Sequence, residues 1–254
     1  MEGKTREKKF SCNYVDKDVR TIFRPLKIMQ TCSFNPKYQF KNNFIYPANT
    51  ISDVIAYFGV ITFLTIMIWR ITDILFDENL RRYQTLNFLY FASYADSLFY
   101  SFGYIMNLIL HFLHSKDSVK MILIFQEIHR FIRKSASLKN IVCRNWVALA
   151  LMGGFQSIVV IYLYIVYMHP PWYIIFYVFY LLSPDYNTVY AICFMKLLLD
   201  KAVLWNVNLL LSLQGQRKVL CRQMTRTYGQ ILDCFDVYKN VFELPVSTYK
   251  IFIC

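Results

Sequence analysis

From residue 145 to residue 184 the chain carries no Asp, Glu, Lys or Arg, a run of 40 uncharged residues. As a single helix this run would measure about 60 Å, twice the roughly 30 Å hydrocarbon thickness of a bilayer. It must therefore turn, and His169-Pro170-Pro171 supplies the turn, because proline lacks a backbone N–H and disfavours helix in the residue before it. The run then reads as two apolar segments, 146–168 and one starting at Trp172. Residues 54–69 form a third uncharged stretch, and 86–113 a fourth that is charge-free apart from Asp96. Helices in a large soluble core keep a charged face opposite their apolar stripe. Residues 54–69 and 146–168 have none, so these segments are expected to cross a membrane. Trp69, Trp146, Tyr164, Tyr167, Trp172 and Tyr173 lie near segment ends, as interfacial aromatic residues do. The expected fold is all-α: a polytopic helix bundle with spans at about 51–72, 86–113, 146–168 and 172–199.

Composition alone would not have required a membrane, because the 56% hydrophobic content includes 20 Tyr. The distribution of charge is more informative. Of 28 Lys and Arg, 25 lie in residues 1–49, 114–145 and 196–254, and 3 in residues 70–85; the turn at 169–171 has none. The positive-inside rule then predicts a multi-pass membrane protein with its N-terminus cytoplasmic. Residues 1–49, the loop 114–145 and the tail 200–254 fall on that side. The net charge of +12 is on this reading a topological signal, not a nucleic-acid-binding face. No signal peptide precedes the first span, and no Asn-x-Ser/Thr sequon occurs. Seven cysteines, none in an expected outside turn, read as free thiols. Their spacing gives no metal signature, and no cofactor or enzyme motif is present.

Polar groups within the spans are the candidate functional residues. Asp96 lies about ten residues into its span, some 15 Å deep, where a carboxylate costs on the order of 2.5–3.5 kcal/mol. It is either a ligand contact or a helix–helix hydrogen bond. Ser183-Pro184-Asp185 interrupts the fourth span, and the proline frees a carbonyl there. Tyr90, Tyr94 and Ser97 share one helix face, as do Tyr173, Tyr177 and Tyr180. An aromatic cavity with few hydroxyls suits small, weakly polar organic ligands; helix packing and interfacial anchoring are the plainer alternative. Gly153-Gly154 permits close helix approach. His111 and His114 share a face and read as interfacial groups or, less simply, metal ligands.

Residues 118–134 read as an amphipathic helix with Met121, Phe125, Ile128 and Ile132 on one side. In the tail, Leu220, Met224, Tyr228, Ile231, Phe235, Tyr238 and Phe242 step by three or four and form an assembly stripe. Such a stripe needs a partner: another helix, another subunit or the membrane.

The stretch Pro25-Leu26-Lys27-Ile28-Met29-Gln30, followed by Asn35-Pro36-Lys37-Tyr38 and Lys41-Asn42-Asn43-Phe44-Ile45-Tyr46-Pro47, resembles insect gustatory receptors, particularly those of moths and butterflies. Residues 228–242, from Tyr228-Gly229-Gln230-Ile231 to Asn240-Val241-Phe242, are similar to the helix before that family's fifth span. The resemblance covers nearly the whole chain. It implies a seven-span chemoreceptor with a cytoplasmic N-terminus, a subunit of a tetrameric ligand-gated cation channel, homo- or heteromeric. Tastants would bind among the outer halves of the helices, where position alone offers Tyr90, Tyr94, Asp96, Tyr180 and Asp185. Cytoplasmic extensions would form the inter-subunit anchor, to which the tail stripe would belong. The family continues through three more spans to a Thr-Tyr and Gln-Phe motif on the pore helix, whereas this sequence ends at Cys254 and Thr248-Tyr249 is not followed by Gln-Phe. The expectation is therefore a C-terminally truncated, non-conducting receptor product. The alternatives are a four-span regulatory subunit, or a small membrane transporter or enzyme.

Overall fold

Six helices and one short hairpin make up the described part of the chain. The computed structural model describes residues 13–76, 88–132, 135–166, 172–214 and 218–253; the side chains at 74–75, 88–94, 96, 135–137, 211–214, 218–221 and 243–253 lie outside that description. In order they are α1 (Lys17–Cys32), β1 (Tyr38–Lys41), β2 (Phe44–Pro47), α2 (Thr50–Phe76), α3 (Phe88–Phe131), α4 (Ser135–Val166), α5 (Trp172–Gln214) and α6 (Lys218–Ile253). The turn at His169-Pro170-Pro171 falls outside the described residues. The all-α expectation holds apart from the hairpin.

Residues 1–49 read in sequence as a polar, basic region. Instead, α1 buries one side, Val19, Ile22, Phe23, Leu26 and Met29, among the other helices. These positions recur every three or four residues and put the apolar groups on one face. The hairpin follows from Asn42-Asn43, both with positive φ (49° and 65°). Two such residues in a two-residue loop match the twist of antiparallel strands, and asparagine tolerates that backbone. The pairing runs from Tyr38 opposite Pro47 to Lys41 opposite Phe44. Residues 13–15 lie alongside: the Val15 amide donates to the Asn43 carbonyl (2.7 Å) and the Ile45 amide to the Asn13 carbonyl (2.8 Å).

This N-terminal unit is the centre of a large core. Phe23 of α1 meets Phe125 of α3 (ring centroids 5.5 Å apart) and Phe194 of α5 (5.9 Å). Tyr38, Ile45, Ile141, Leu197 and Val241 complete the surrounding layers. Burying each large apolar side chain contributes about 1.5–3 kcal/mol, so segments far apart in sequence are tied together by one apolar interior.

Three of the helices extend beyond the apolar segments. The loop 114–145 is not a separate unit: α3 runs unbroken from Phe88 to Phe131, about 66 Å, and the amphipathic face with Met121, Phe125 and Ile128 is the lower half of the same helix. Helix α4 starts at Ser135, well before residue 146, and α5 continues to Gln214. No residue at these junctions breaks a helix, so the helices run on past the ends of the apolar segments.

The tail stripe is divided between a buried and an exposed part. Met224, Ile231 and Phe242 are buried, but Tyr228 and Phe235 are exposed, and Thr227, Cys234, Val237 and Val241 are buried in their place. The buried face is rotated from the one the large side chains suggested. Its partners are α3 and α5 of the same chain: Tyr238 stacks on Phe194 (5.8 Å), Trp205 donates its indole N–H to the Met224 carbonyl (2.9 Å), and the Cys234 thiol points at the Met121 carbonyl. Leu220 lies outside the described side chains.

Away from the large core, in the half formed by α2, the N-terminal part of α3, the C-terminal part of α4 and the N-terminal part of α5, the surface changes character. Large apolar side chains point outward on all four helices: Phe58 and Ile61, Phe102 and Ile105, Phe155 and Ile158, Trp172 and Phe176. Two stretches, Thr50–Asp73 and Leu138–Val166, are long and apolar enough to cross a membrane. Among the described residues the fourth expected span does not reach that apolarity, because tyrosines and the Ser183-Pro184-Asp185-Tyr186-Asn187 sequence dilute it.

Candidate functional site

A second, smaller cluster lies inside that apolar-faced half. Val60, Phe63, Ile66 and Met67 of α2, Tyr104 of α3, and Tyr173, Tyr177 and Tyr180 of α5 are all buried in it. The three α5 tyrosines share a face because 173, 177 and 180 recur at helical spacing. Phe63 is the hub: its ring stacks on Tyr104 (4.3 Å) and lies 6.4 Å from Tyr177 and 6.2 Å from Tyr180.

Charged groups rim one end of the cluster. The Arg70 guanidinium lies over the Tyr177 ring at 4.2 Å, and Arg70 Nη1 reaches the Ser97 hydroxyl at 3.4 Å. The Tyr173 phenol donates to the Asp73 carboxylate. A cation over a tyrosine face contributes about 0.5–2 kcal/mol, more as water is excluded. Arg70 and Asp73 fall three apart at the end of α2, so one helix face carries both. Neither stands out in the sequence, because Arg70 lies at the edge of the expected span 51–72 and Asp73 just beyond it.

The candidate residues are only partly brought together. Tyr180 is in the cluster. Asp185 is exposed: five residues along a helix is about 500°, leaving it roughly 140° around from Tyr180. The side chains of Tyr90, Tyr94 and Asp96 lie outside the described residues. The proline break did not open the helix: α5 is continuous through Pro184, and the Tyr180 carbonyl it frees accepts the phenol of Tyr104.

The other end of the cluster is closed by the N-terminal segment. Phe34, the residue after the Ser33 C-cap of α1, stacks on Tyr180 (4.9 Å, 11° between planes) and has a positive φ of 54°. Opposite it is Gly59 of α2, where an added Cβ would lie 2.5 Å from the Phe34 Cβ. Among the described residues, close packing thus falls at Gly59 and not at Gly153-Gly154: a Cβ at 153 would meet only the Tyr186 hydroxyl at 3.8 Å, and at 154 nothing within 4 Å.

A polar network holds this segment. The Ser33 hydroxyl donates to Asn187 Oδ1 (2.9 Å), and Asn35 Nδ2 donates to Asn107 Oδ1 (2.9 Å). Buried His111 bridges Asn35 Oδ1 (3.1 Å, from Nδ1) and Asp53 Oδ1 (3.0 Å, from Nε2). His111 is thus a core bridge and not an interfacial group, while His114 pairs with Asp117 (3.2 Å) one turn on. No group of three potential metal ligands occurs among the described residues. Beside the network, Lys37 is buried with its ammonium 5.2 Å from the Phe242 ring centroid; burial pushes its pKa down to about 8.

Gln156 of α4 also escaped notice in the sequence. It is buried, donates to the Phe179 carbonyl (3.0 Å) and accepts from the Tyr186 phenol (2.8 Å), joining α4 to α5.

No protein-family profile, no characterised protein and no solved structure matches the chain.

Proposed function

We propose that the chain is part of a chemosensory receptor of the insect gustatory type, set in the plasma membrane with its N-terminus cytoplasmic, and that its aromatic cluster detects small, weakly polar organic tastants. The supporting observation is a cluster of stacked phenol and phenyl rings, rimmed by Arg70 and Asp73, between helices whose outward faces are apolar. Such a site offers broad ring surface and few, directional polar groups. Outward-facing apolar side chains on four neighbouring helices form a belt that lipid would cover. The proposed arrangement has four spans, with the belt in the bilayer and the large core in the cytoplasm, consistent with the distribution of cations. In a tetrameric channel the ion path would lie in helices that the resemblance places beyond residue 254.

Binding can be tested without conduction. The chain in lipid nanodiscs is screened for thermal stabilisation by a panel of plant alkaloids, phenolics and sugars. The expected result is stabilisation by aromatic compounds that is lost in Tyr177→Ala. Absence of any stabilising compound counts against the tastant reading, and a reporter at residue 1 facing outside overturns the orientation.

A regulatory, four-span interaction subunit is the second reading. It is favoured by Tyr228, Leu232 and Phe235, which are exposed along one edge of α6. Failure to co-purify with a full-length receptor removes it.

A further inference from the structure

The segment Ser33-Phe34-Asn35 has three properties that rarely coincide. Phe34 is a bulky residue in the left-handed backbone region, with φ of 54°, a conformation that persists only where the surroundings over-determine it. Its ring is seated between two helices, stacked on Tyr180 and facing the Gly59 notch, which no side chain at 59 could share. Both neighbours are latched to the middle of α3 and α5, where the two clusters meet: Ser33 to Asn187, Asn35 to Asn107 and His111. Covalently, the segment directly follows the last turn of α1, whose apolar face is the middle of the large core.

Strain, a matched notch and directional latches describe a seated element, not a loop that merely connects. We infer that Ser33-Phe34-Asn35 is a plug that closes the aromatic cluster on the side of the large core and couples the two, so that a change at Tyr180 is transmitted to α1. A rearrangement of the Tyr180 ring removes the surface on which Phe34 stacks. The strained backbone then relaxes toward ordinary φ values, the latches at Asn35 and Ser33 break, and the end of α1 loosens. The coupling needs no change in the rest of the large core, because the remainder of α1 is held by Phe23 against Phe125 and Phe194. This inference stands whether or not the cluster binds a tastant.

Cys32, partly buried beside the plug, is the natural reporter. The experiment is peptide-resolved alkylation of the full chain in nanodiscs, with exposed Cys143 as the reference and buried Cys234 as the monitor of global opening. Local opening accelerates labelling in proportion to the population of the open form. Tyr180→Leu, Asn35→Ala and Gly59→Ala are each expected to raise the Cys32 rate by about tenfold or more while leaving Cys234 protected. In a Phe34→Gly background, Gly59→Ala is expected to add nothing, because the clash and the positive-φ strain are both gone. A Cys32 rate unchanged in both Tyr180→Leu and Asn35→Ala overturns the plug. So does a Cys234 rate that rises in step with Cys32 in those two variants, since that is global unfolding.

Discussion

The phenol of Tyr104 on α3 donates to the carbonyl of Tyr180 on α5, the carbonyl that lost its helical partner because Pro184 has no N–H to return four residues back. The carbonyl that the proline frees is thus used as a bond between helices. In an apolar setting an unpaired carbonyl is costly, so the proline in effect specifies a hydroxyl at the facing position.

Removing that hydroxyl has a defined signature. Tyr104→Phe should destabilise the chain by about 1–3 kcal/mol by leaving the Tyr180 carbonyl unpaired. Pro184→Ala should restore most of the loss, since residue 184 then supplies the amide. Thermal unfolding of the four members of the double-mutant cycle in nanodiscs measures the coupling; additive effects would mean that the bond does not compensate for the proline.

The docking of the N-terminus on α3 rests on a buried amide more than on its ion pair. Gln126 accepts from the Asp16 amide (3.0 Å) and donates to the Tyr14 carbonyl (3.0 Å). Arg130 makes two bonds to Asp16 (2.7 and 2.8 Å), but in an exposed position. Gln126→Ala is expected to cost about 1–3 kcal/mol and Arg130→Lys less than about 1 kcal/mol. Chemical denaturation of the two variants checks the order.

Buried Lys37 gives stability a pH dependence. Burial pushes its pKa from 10.5 to about 8. Between these values the unfolded chain keeps a proton that the folded chain has released, so this group makes stability rise with pH. Below pH 8 both states are protonated and the penalty stands in full. Lys201, whose ammonium donates to the Ile132 carbonyl at the end of α3 (3.1 Å), is also lowered to about 8 by burial and acts over the same window. Lys37→Met should raise stability at pH 7, and the gain should shrink from pH 8 to 10.5. A wild-type-minus-variant difference that is flat with pH would show that Lys37 is charged alike in both states.

Thiol reactivity should follow burial. Cys143 is exposed, Cys32 partly buried and Cys234 buried; burial pushes the Cys234 thiol up to about 12 and also raises Cys32. Since the thiolate reacts, alkylation at pH 8 should proceed at Cys143 first, then Cys32, with Cys234 protected until the core opens. Early modification of Cys234 would contradict the packing of α6 on α3.

Some of this was legible in the sequence and some was not. The uncharged run located α4 and the start of α5, and the tyrosine spacing gave the buried face of α5, because periodicity is local and one face of a helix is fixed by residues within two turns. Pro184 announced a free carbonyl but not its partner, which is 76 residues away. Asn42-Asn43 carried a hairpin signal that could have been used. Of the tail stripe, Met224, Ile231 and Phe242 are buried within the chain and Tyr228 and Phe235 are exposed, while Thr227, Cys234 and Val237 complete the buried face, because the packing of α6 on α3 and α5, not side-chain size, decides which positions are covered.

What the sequence determined by itself is the helical fold, the apolar segments and the asymmetric placement of cations. Each depends on composition within a short window and on the solvent that window can tolerate. What only the tertiary structure decided is which distant groups meet: Phe34 against Gly59 and Tyr180, His111 between Asn35 and Asp53, Arg70 over Tyr177. These contacts join residues tens of positions apart, and no local spacing encodes them. They are set by how the burial of α1 in the large core positions the end of that helix, and with it the plug, beneath the aromatic cluster.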